Sequence, residues 1–135
     1  MRTAVAGAIQ LATALAIVIG LAGCSRSSSV TVHRYTTRGI VQQVPSENNS
    51  TRSFRVKHEP IDRYTKDGKI VGMNTMIMPF PLAEGVTVAD IEPGDKVRIR
   101  FEVRTDDYIT LKATKVTKLP DDTDLTFGKA QPPER

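Results

Sequence analysis

The chain has 135 residues, a formal net charge of +4 at pH 7 and a single cysteine. Its length suits one small domain, and one cysteine excludes an internal disulfide framework. Because the basic residues are spread along the sequence rather than gathered in a block, the mild positive surplus indicates a solvated surface, and no nucleic-acid partner is expected.

The amino-terminal segment predicts export. Arg2 is followed by a run of uncharged, mostly apolar residues that ends in LAGC at residues 21–24. A positive start and an apolar stretch are typical of a secretory signal peptide, and the LAGC ending matches the bacterial lipobox, in which cleavage precedes a lipid-modified cysteine. The sequence therefore predicts a lipoprotein signal peptide over residues 1–23 and lipidation of Cys24. A retained membrane-spanning helix is the alternative.

A lipid on the amino-terminal residue anchors a soluble domain without a spanning helix. The expected location is the periplasmic face of a bacterial membrane. Ser25 follows the cysteine where some bacteria place an aspartate that retains lipoproteins in the inner membrane, so the outer membrane is favoured.

Two polar segments flank the expected fold. Residues 24–33 are rich in serine and predict a flexible tether, with His33 solvated at its edge. Residues 120–135 contain prolines and clustered acids with few apolar side chains, which predicts a disordered tail. The folded domain is expected over residues 34–119.

Five short strands are predicted inside this domain. The signals are β-branched content and alternation, interrupted by turn-forming residues. The strands are expected at residues 35–44, 53–61, 74–82, 96–104 and 108–116. In the fourth, apolar residues from Val97 to Val103 alternate with charged ones, and residues 88–95 before it predict a short helical turn.

This pattern predicts an all-β fold. Five short antiparallel strands in a domain of this size favour a five-stranded OB-like barrel, because closure removes exposed sheet edges. A small sandwich is the alternative.

Three of the four methionines lie within six positions, at Met73, Met76 and Met78. On a strand, Met76 and Met78 point to the same face. One interpretation is packing, because methionine fills irregular core space well. The other is a metal site, because thioethers suit soft ions such as Cu(I) and Ag(I). Such a site commonly adds an imidazole, and His58 is the plausible candidate.

Three stretches of the sequence together resemble a known family. HEPI at residues 58–61, MNTMIMPF at 73–80 and IEPGDKVRIRFEV at 91–103 resemble the CusF-like periplasmic copper- and silver-binding proteins in order and spacing. The resemblance covers residues 35–118 and implies a five-stranded OB-like barrel.

Carried over by position, the resemblance implies that His58, Met76 and Met78 are metal ligands. Met73 stands where well-known members carry a tryptophan that caps the metal through a cation–π contact. This chain has no tryptophan, so Met73 is expected to be either a fourth ligand or a shield.

The sequence also departs from the family pattern. Asn74 and Thr75 replace the usual proline and the residue after it. The link of residues 62–72 is longer than usual and contains KDG, which predicts a turn. A longer link is expected to change access to the site more than its ligands.

The predicted function is capture and transfer of Cu(I), with Ag(I) as a second ion, by a monomeric lipid-anchored protein. The resemblance implies a partner in a copper efflux system or another periplasmic copper protein. The alternative is an envelope lipoprotein whose small barrel binds a protein or peptide without metal. An enzyme is not expected, and Glu59 beside His58 is expected to be solvated or to orient the imidazole.

Overall fold

The structure is a computed structural model that describes residues 29–46, 53–106 and 108–134. The predicted signal peptide, the lipidation site at Cys24 and most of the predicted tether lie outside these ranges. Within the ranges given, no helix is long and apolar enough to cross a membrane.

The described residues form seven strands in two antiparallel sheets. In chain order the strands are β1 (Thr31–Gln43), β2 (Arg55–His58), β3 (Thr65–Lys66), β4 (Lys69–Ile70), β5 (Ile77–Pro79), β6 (Lys96–Thr105) and β7 (Ile109–Lys118). Five of them make one sheet in the order β5-β2-β1-β6-β7, and β3 pairs with β4. The prediction of an all-β fold with five main strands is confirmed.

β1 begins earlier than the sequence indicated. It starts at Thr31, so the last residues of the predicted tether pair with the far end of β6. His33 pairs with Val103, and its ring stacks on Tyr35 with the ring centroids 6.3 Å apart. Residues 31–33, which were predicted to belong to the tether, are therefore part of the sheet, because the β-branched residues after the serines extend the strand.

The core lies on the inner face of the main sheet. The alternation predicted for β6 is confirmed, since Val97 and Ile99 are both fully buried. The rings of Phe80 and Phe101 meet edge to face, with centroids 5.3 Å apart. The buried apolar side chains are Val41, Phe54, Val56, Ile61, Phe80, Ile91, Val97, Ile99, Phe101, Val103 and Ala113.

The two edges of the main sheet meet beyond β5. Leu82 forms a parallel bridge with Ala113 of β7. The Ala113 N–H donates to the Pro81 carbonyl over 2.7 Å, and the Ala83 N–H donates to the Ala113 carbonyl over 2.9 Å. Among the described strands, no continuous ladder of hydrogen bonds joins β5 to β7. The sheet is curled so that its edges meet at this bridge, and the predicted barrel is not fully closed.

Turns replace the helical turn predicted at residues 88–95. The Asp95 N–H donates to the Glu92 carbonyl over 3.1 Å, and Gly94 between them has a φ of 93°. A Pro-Gly pair with positive φ at the glycine is typical of a type II β-turn.

The predicted KDG turn joins β3 to β4. Asp67 and Gly68 both have positive φ, at 50° and 73°. Two consecutive positive values define a type I′ turn, which suits a two-residue hairpin loop. The long link of residues 62–72 is therefore a small hairpin of its own.

Gly39 lies where β1 packs tightly against β2. A Cβ at this position would overlap with the Lys57 carbonyl oxygen, and it would lie 2.6 Å from Cγ1 of Val56 and 2.9 Å from Cα of His58. Two of these atoms belong to the backbone, so a rotamer change cannot relieve the overlap. Because Gly39 pairs with His58, a larger residue here displaces the strand that carries the histidine.

We expect Gly39→Ala to lower the free energy of unfolding by about 1–3 kcal/mol, because the added methyl group forces β1 and β2 apart. Chemical denaturation measures the change. Thr36→Ala, at an exposed position of the same strand, is the matched control and is expected to cost less than about 1 kcal/mol. Unchanged stability in Gly39→Ala would contradict the close approach of the two strands.

Candidate metal centre

His58 is fully buried at the end of β2. The alternation of β2 turns Val56 and His58 to the inner face of the sheet. The imidazole packs edge-on against the Phe80 ring, with centroids 6.1 Å apart and an interplanar angle of 88°. A polar ring therefore occupies a position that the strand pattern would otherwise give to an apolar side chain.

The two ring nitrogens of His58 have different surroundings. Nδ1 lies 2.6 Å from the backbone carbonyl oxygen of Glu59. A carbonyl can only accept, so Nδ1 carries the proton. Nε2 is buried and makes no hydrogen bond to any described residue. The ring therefore presents an unpaired lone pair at Nε2 while its other nitrogen is held by the backbone, as in many metal-binding histidines.

Burial lowers the pKa of His58 below its ordinary value, because the imidazolium loses hydration in the core. The hydrogen bond to the Glu59 carbonyl opposes this effect and is the smaller of the two causes. The neutral ring is thus favoured near neutral pH, and the neutral ring is the form that binds metal ions.

β5 and the residue before it place two methionines opposite β2. Met78 pairs with Val56 and packs, half-buried, against the core. The carbonyl of Met76 accepts a hydrogen bond of 3.2 Å from the backbone N–H of His58. Because residues two apart share a strand face, Met76, Met78 and His58 belong to the same face of the sheet.

Met73 reaches the same end of the sheet through a separate bridge. It pairs with Ile61, which lies three residues after His58. Both hydrogen bonds of this bridge are made, from the Ile61 N–H to the Met73 carbonyl over 2.8 Å and from the Met73 N–H to the Ile61 carbonyl over 2.9 Å. The Met73 side chain is half-buried against the core.

The structure thus brings all four predicted ligand residues to one end of the sheet, with graded burial. His58 is fully buried, Met73 and Met78 are half-buried, and Met76 is 49% exposed. The packing interpretation describes Met73 and Met78 well, but it leaves the exposed Met76 unexplained.

Ligands of other types are not gathered here. In the described part of the chain, no group of three or more His, Cys, Asp or Glu side chains is placed to hold a metal ion. A metal site at this end of the sheet therefore relies on thioethers together with His58. Such a donor set suits Cu(I) and Ag(I) and binds hard ions poorly.

The Glu59 carboxylate is hydrogen-bonded to groups other than the imidazole. It accepts hydrogen bonds from Nε and Nη2 of Arg38, at 2.7 Å and 2.9 Å, and a third from the Thr126 N–H at 2.7 Å. The orientation of His58 that the sequence assigned to Glu59 comes from the backbone carbonyl of that residue instead. An acid–base pairing of the two side chains has no support in this geometry.

The segment predicted to be a disordered tail lies against this end of the fold, contrary to that prediction. Residues 120–134 are described, and four of their backbone N–H groups donate to side chains at residues 59–75. The sequence offered one signal for this contact. Leu125 and Phe127 alternate with polar residues, and both are half-buried.

The comparison with known proteins adds one finding. A model of the family described as the copper-binding periplasmic protein CusF matches residues 34–116 of the chain. The match contains His58 and all three methionines of the 73–78 run, and it ends inside β7. Curated protein sequences and solved structures give no significant match.

We expect the metal-free domain to lose stability as the pH falls below about 6.5, the ordinary pKa of an exposed histidine. Because the pKa of His58 is lowered in the fold, the unfolded chain binds its proton first, and protons then favour unfolding. The contribution of His58 to stability is complete above the unfolded-state pKa. It decreases as the pH falls from that value to the folded-state pKa.

Urea unfolding in metal-free buffer between about pH 5 and pH 8 measures this dependence, since that range brackets the ordinary histidine pKa. His58→Leu should reduce the slope, whereas His33→Gln, which replaces the other histidine, should retain it. A slope that survives unchanged in His58→Leu would assign the effect to other groups.

Proposed function

Because the chain belongs to the CusF family of copper-binding periplasmic proteins, we propose that it binds Cu(I), and Ag(I) as a similar soft ion, through His58, Met73, Met76 and Met78. The family is one of binding proteins rather than enzymes. The observation that carries the proposal is the buried Nε2 of His58, which lacks a hydrogen-bond partner among the described residues. Leaving such a group unpaired costs about 1–3 kcal/mol, and coordination of a metal ion would remove that cost.

The proposed ligands differ in role. Nε2 of His58 supplies a fixed donor whose ring is held by the Glu59 carbonyl. Met78 supplies a half-buried thioether from β5. Met76 supplies an exposed thioether on the solvent side. Met73 completes a four-ligand site, since its bridge to Ile61 brings its backbone to the end of β2.

The neutral ligand set favours transfer over storage. A site of one imidazole and three thioethers leaves the charge of Cu(I) uncompensated, and it lacks the thiolates that hold copper most tightly. The exposed Met76 gives an acceptor protein a ligand to replace first. We therefore propose capture of Cu(I) and its transfer to a copper efflux system or another periplasmic copper protein.

We further propose that the domain works while anchored to a membrane through lipid on Cys24, at the periplasmic face and more specifically at the outer membrane. The support is the apolar leader, its LAGC ending and Ser25 after the cysteine. β1 begins at Thr31, seven positions after Cys24, so the domain would stay close to the bilayer.

A second candidate is binding of a protein or peptide without metal. It is favoured by exposed apolar side chains in and beside the methionine segment, namely Ile70, Val71, Met76 and Ile77, of which the last two point to opposite faces. Exposed apolar groups of this kind can contribute to an interaction surface. The same groups also suit an acceptor that docks to receive copper, so metal binding decides between the two candidates.

We expect residues 26–135 to retain one equivalent of Cu(I) against a colorimetric chelator under anaerobic conditions, and Met76→Ile to lose at least about tenfold in affinity, a change of about 1.4 kcal/mol. Met76 is exposed, so its replacement should change the free energy of unfolding by no more than about 0.5 kcal/mol. Met78→Ile should also lose affinity, at a stability cost under about 1.5 kcal/mol.

The matched control for this titration is the double variant Met76→Ile/Ile77→Met, which keeps the composition and moves the sulfur to the opposite face of the strand. It should bind no better than Met76→Ile. Failure of the parent chain to compete for Cu(I) would reject the metal site and leave the protein-binding candidate. Full affinity in the double variant would reject Met76 as a ligand.

A further inference from the structure

The chain after β7 crosses the end of the sheet that holds the proposed ligands, and we call residues 120–134 the strap. It begins with a turn in which the Thr123 N–H donates to the Pro120 carbonyl over 3.1 Å. The Lys96 ammonium donates to the carbonyls of Asp121 and Thr123, both over 2.6 Å. The start of the strap is thereby fixed to β6.

Beyond this turn the strap runs over the surface with every second side chain turned inward. Thr123, Leu125 and Phe127 are half-buried, whereas the residues between them are exposed. The Lys57 ammonium lies 4.7 Å from the centroid of the Phe127 ring, within range of a cation–π contact. The strap therefore packs beside β2, on which Lys57 immediately precedes His58.

Backbone N–H groups of the strap donate to side-chain oxygens of the fold. The pairs are Thr126 N to Glu59 Oε1 at 2.7 Å, Gly128 N to Thr75 Oγ1 at 2.9 Å, Ala130 N to Asn74 Oδ1 at 2.9 Å, and Gln131 N to Asp62 Oδ1 at 2.8 Å. A further bond runs in the opposite direction, from the Thr75 N–H to the Gly128 carbonyl over 2.9 Å. Thr75 is thus bonded to the strap through both its backbone and its side chain.

Every acceptor in this set is next in sequence to a proposed ligand or to the backbone partner of one. The neighbours are Glu59 with His58, Asn74 with Met73, Thr75 with Met76, and Asp62 with Ile61, which bridges Met73. Two acceptors lie in residues 58–62 and two in residues 73–76. The strap therefore ties together the two segments that carry three of the four ligands.

The strap also lies close to the backbone just before Met73. A Cβ on Gly72 would lie 2.8 Å from the Cβ of Ala130, so the strap fits here against a residue without a side chain. The family match ends at residue 116, before the strap begins. The ligands thus lie in the matched part of the chain and the strap outside it.

We propose that the strap is a positioning element for the metal site, an inference that rests on the proposed function. It holds residues 73–76 against residues 58–62, which keeps the backbones of Met73 and Met76 next to the segment that carries His58. It acts through Asn74 and Thr75 and contributes no ligand. With the strap removed, the methionine segment gains freedom, metal affinity falls, and the metal leaves faster.

The experiment compares residues 26–135 with a chain that ends at Leu119. A chain that ends at Gln131 is the matched control, since residues 132–134 make none of the strap bonds described above. Cu(I) affinity and the rate of Cu(I) release to excess chelator are measured for all three. Amide hydrogen exchange of the metal-free chains gives a readout that does not depend on copper.

We expect the chain ending at Leu119 to lose at least about fivefold in Cu(I) affinity, an effect typical of coupling between sites, and to release Cu(I) correspondingly faster. Its Thr75 amide, whose partner is the Gly128 carbonyl, should exchange at least about tenfold faster, because protection depends on local opening. Amides of Ile99 in β6 should keep their protection, which excludes global destabilisation as the cause.

A point variant tests the same inference with the strap still present. Thr75→Val removes the Oγ1 acceptor and keeps the β-branched shape, and it should change affinity and release in the same direction by a smaller factor. Thr110→Val, at an exposed position of β7, is its control and should match the parent.

The outcomes of the truncation distinguish failure of the strap's positioning role from failure of the copper site itself. Equal affinity and equal release in the parent and the chain ending at Leu119 would overturn the positioning role and leave the copper site standing. Faster exchange at Thr75 with unchanged copper binding would also overturn it, since the strap would then only cover the segment. No Cu(I) binding by the parent would overturn the proposed function and the positioning role together.

Discussion

The hydrogen bond between Nδ1 of His58 and the Glu59 carbonyl decides which ring nitrogen is left free in the core. The strand that carries the ring lies close to β1 at Gly39, where a side chain would overlap with the backbone of Lys57 and His58. The Glu59 side chain meanwhile joins Arg38 of β1 to Thr126 of the strap. Glu59 thus orients the imidazole through its backbone carbonyl and joins two other parts of the chain through its carboxylate.

Much of the fold follows from local patterns. The alternation in β6 and the positive-φ pair in the KDG turn are readable because each depends on neighbouring residues alone. The shared face of Met76 and Met78 follows from their spacing of two. The proximity of these methionines to His58 depends on the register of β2 against β5. Strand periodicity does not predict that register, so the family resemblance was needed to predict that these residues form one site.

The main parts that sequence reasoning missed are long-range contacts without a periodic signal. The closure at Leu82 and Ala113 is one bridge, with no periodic signal. The strap is bonded to residues more than fifty positions earlier in the chain, and its acidic, proline-containing composition predicts disorder. Asn74 and Thr75, noted in the sequence as departures from the family pattern, are acceptors for the strap. Their role becomes visible once the carboxyl-terminal segment is placed beside them.

The strap is recognised mainly through its main chain, since backbone N–H groups make the bonds and side chains of the fold receive them. Most residues can supply such a donor; proline cannot, and the donors end at Gln131, where Pro132 and Pro133 follow. Tolerance to substitution should therefore differ along the strap. Its exposed positions can change without loss of these bonds, whereas the acceptors on the domain and the inward-facing Leu125 and Phe127 have less freedom. An extension of this kind can thus be gained in evolution with few matched substitutions.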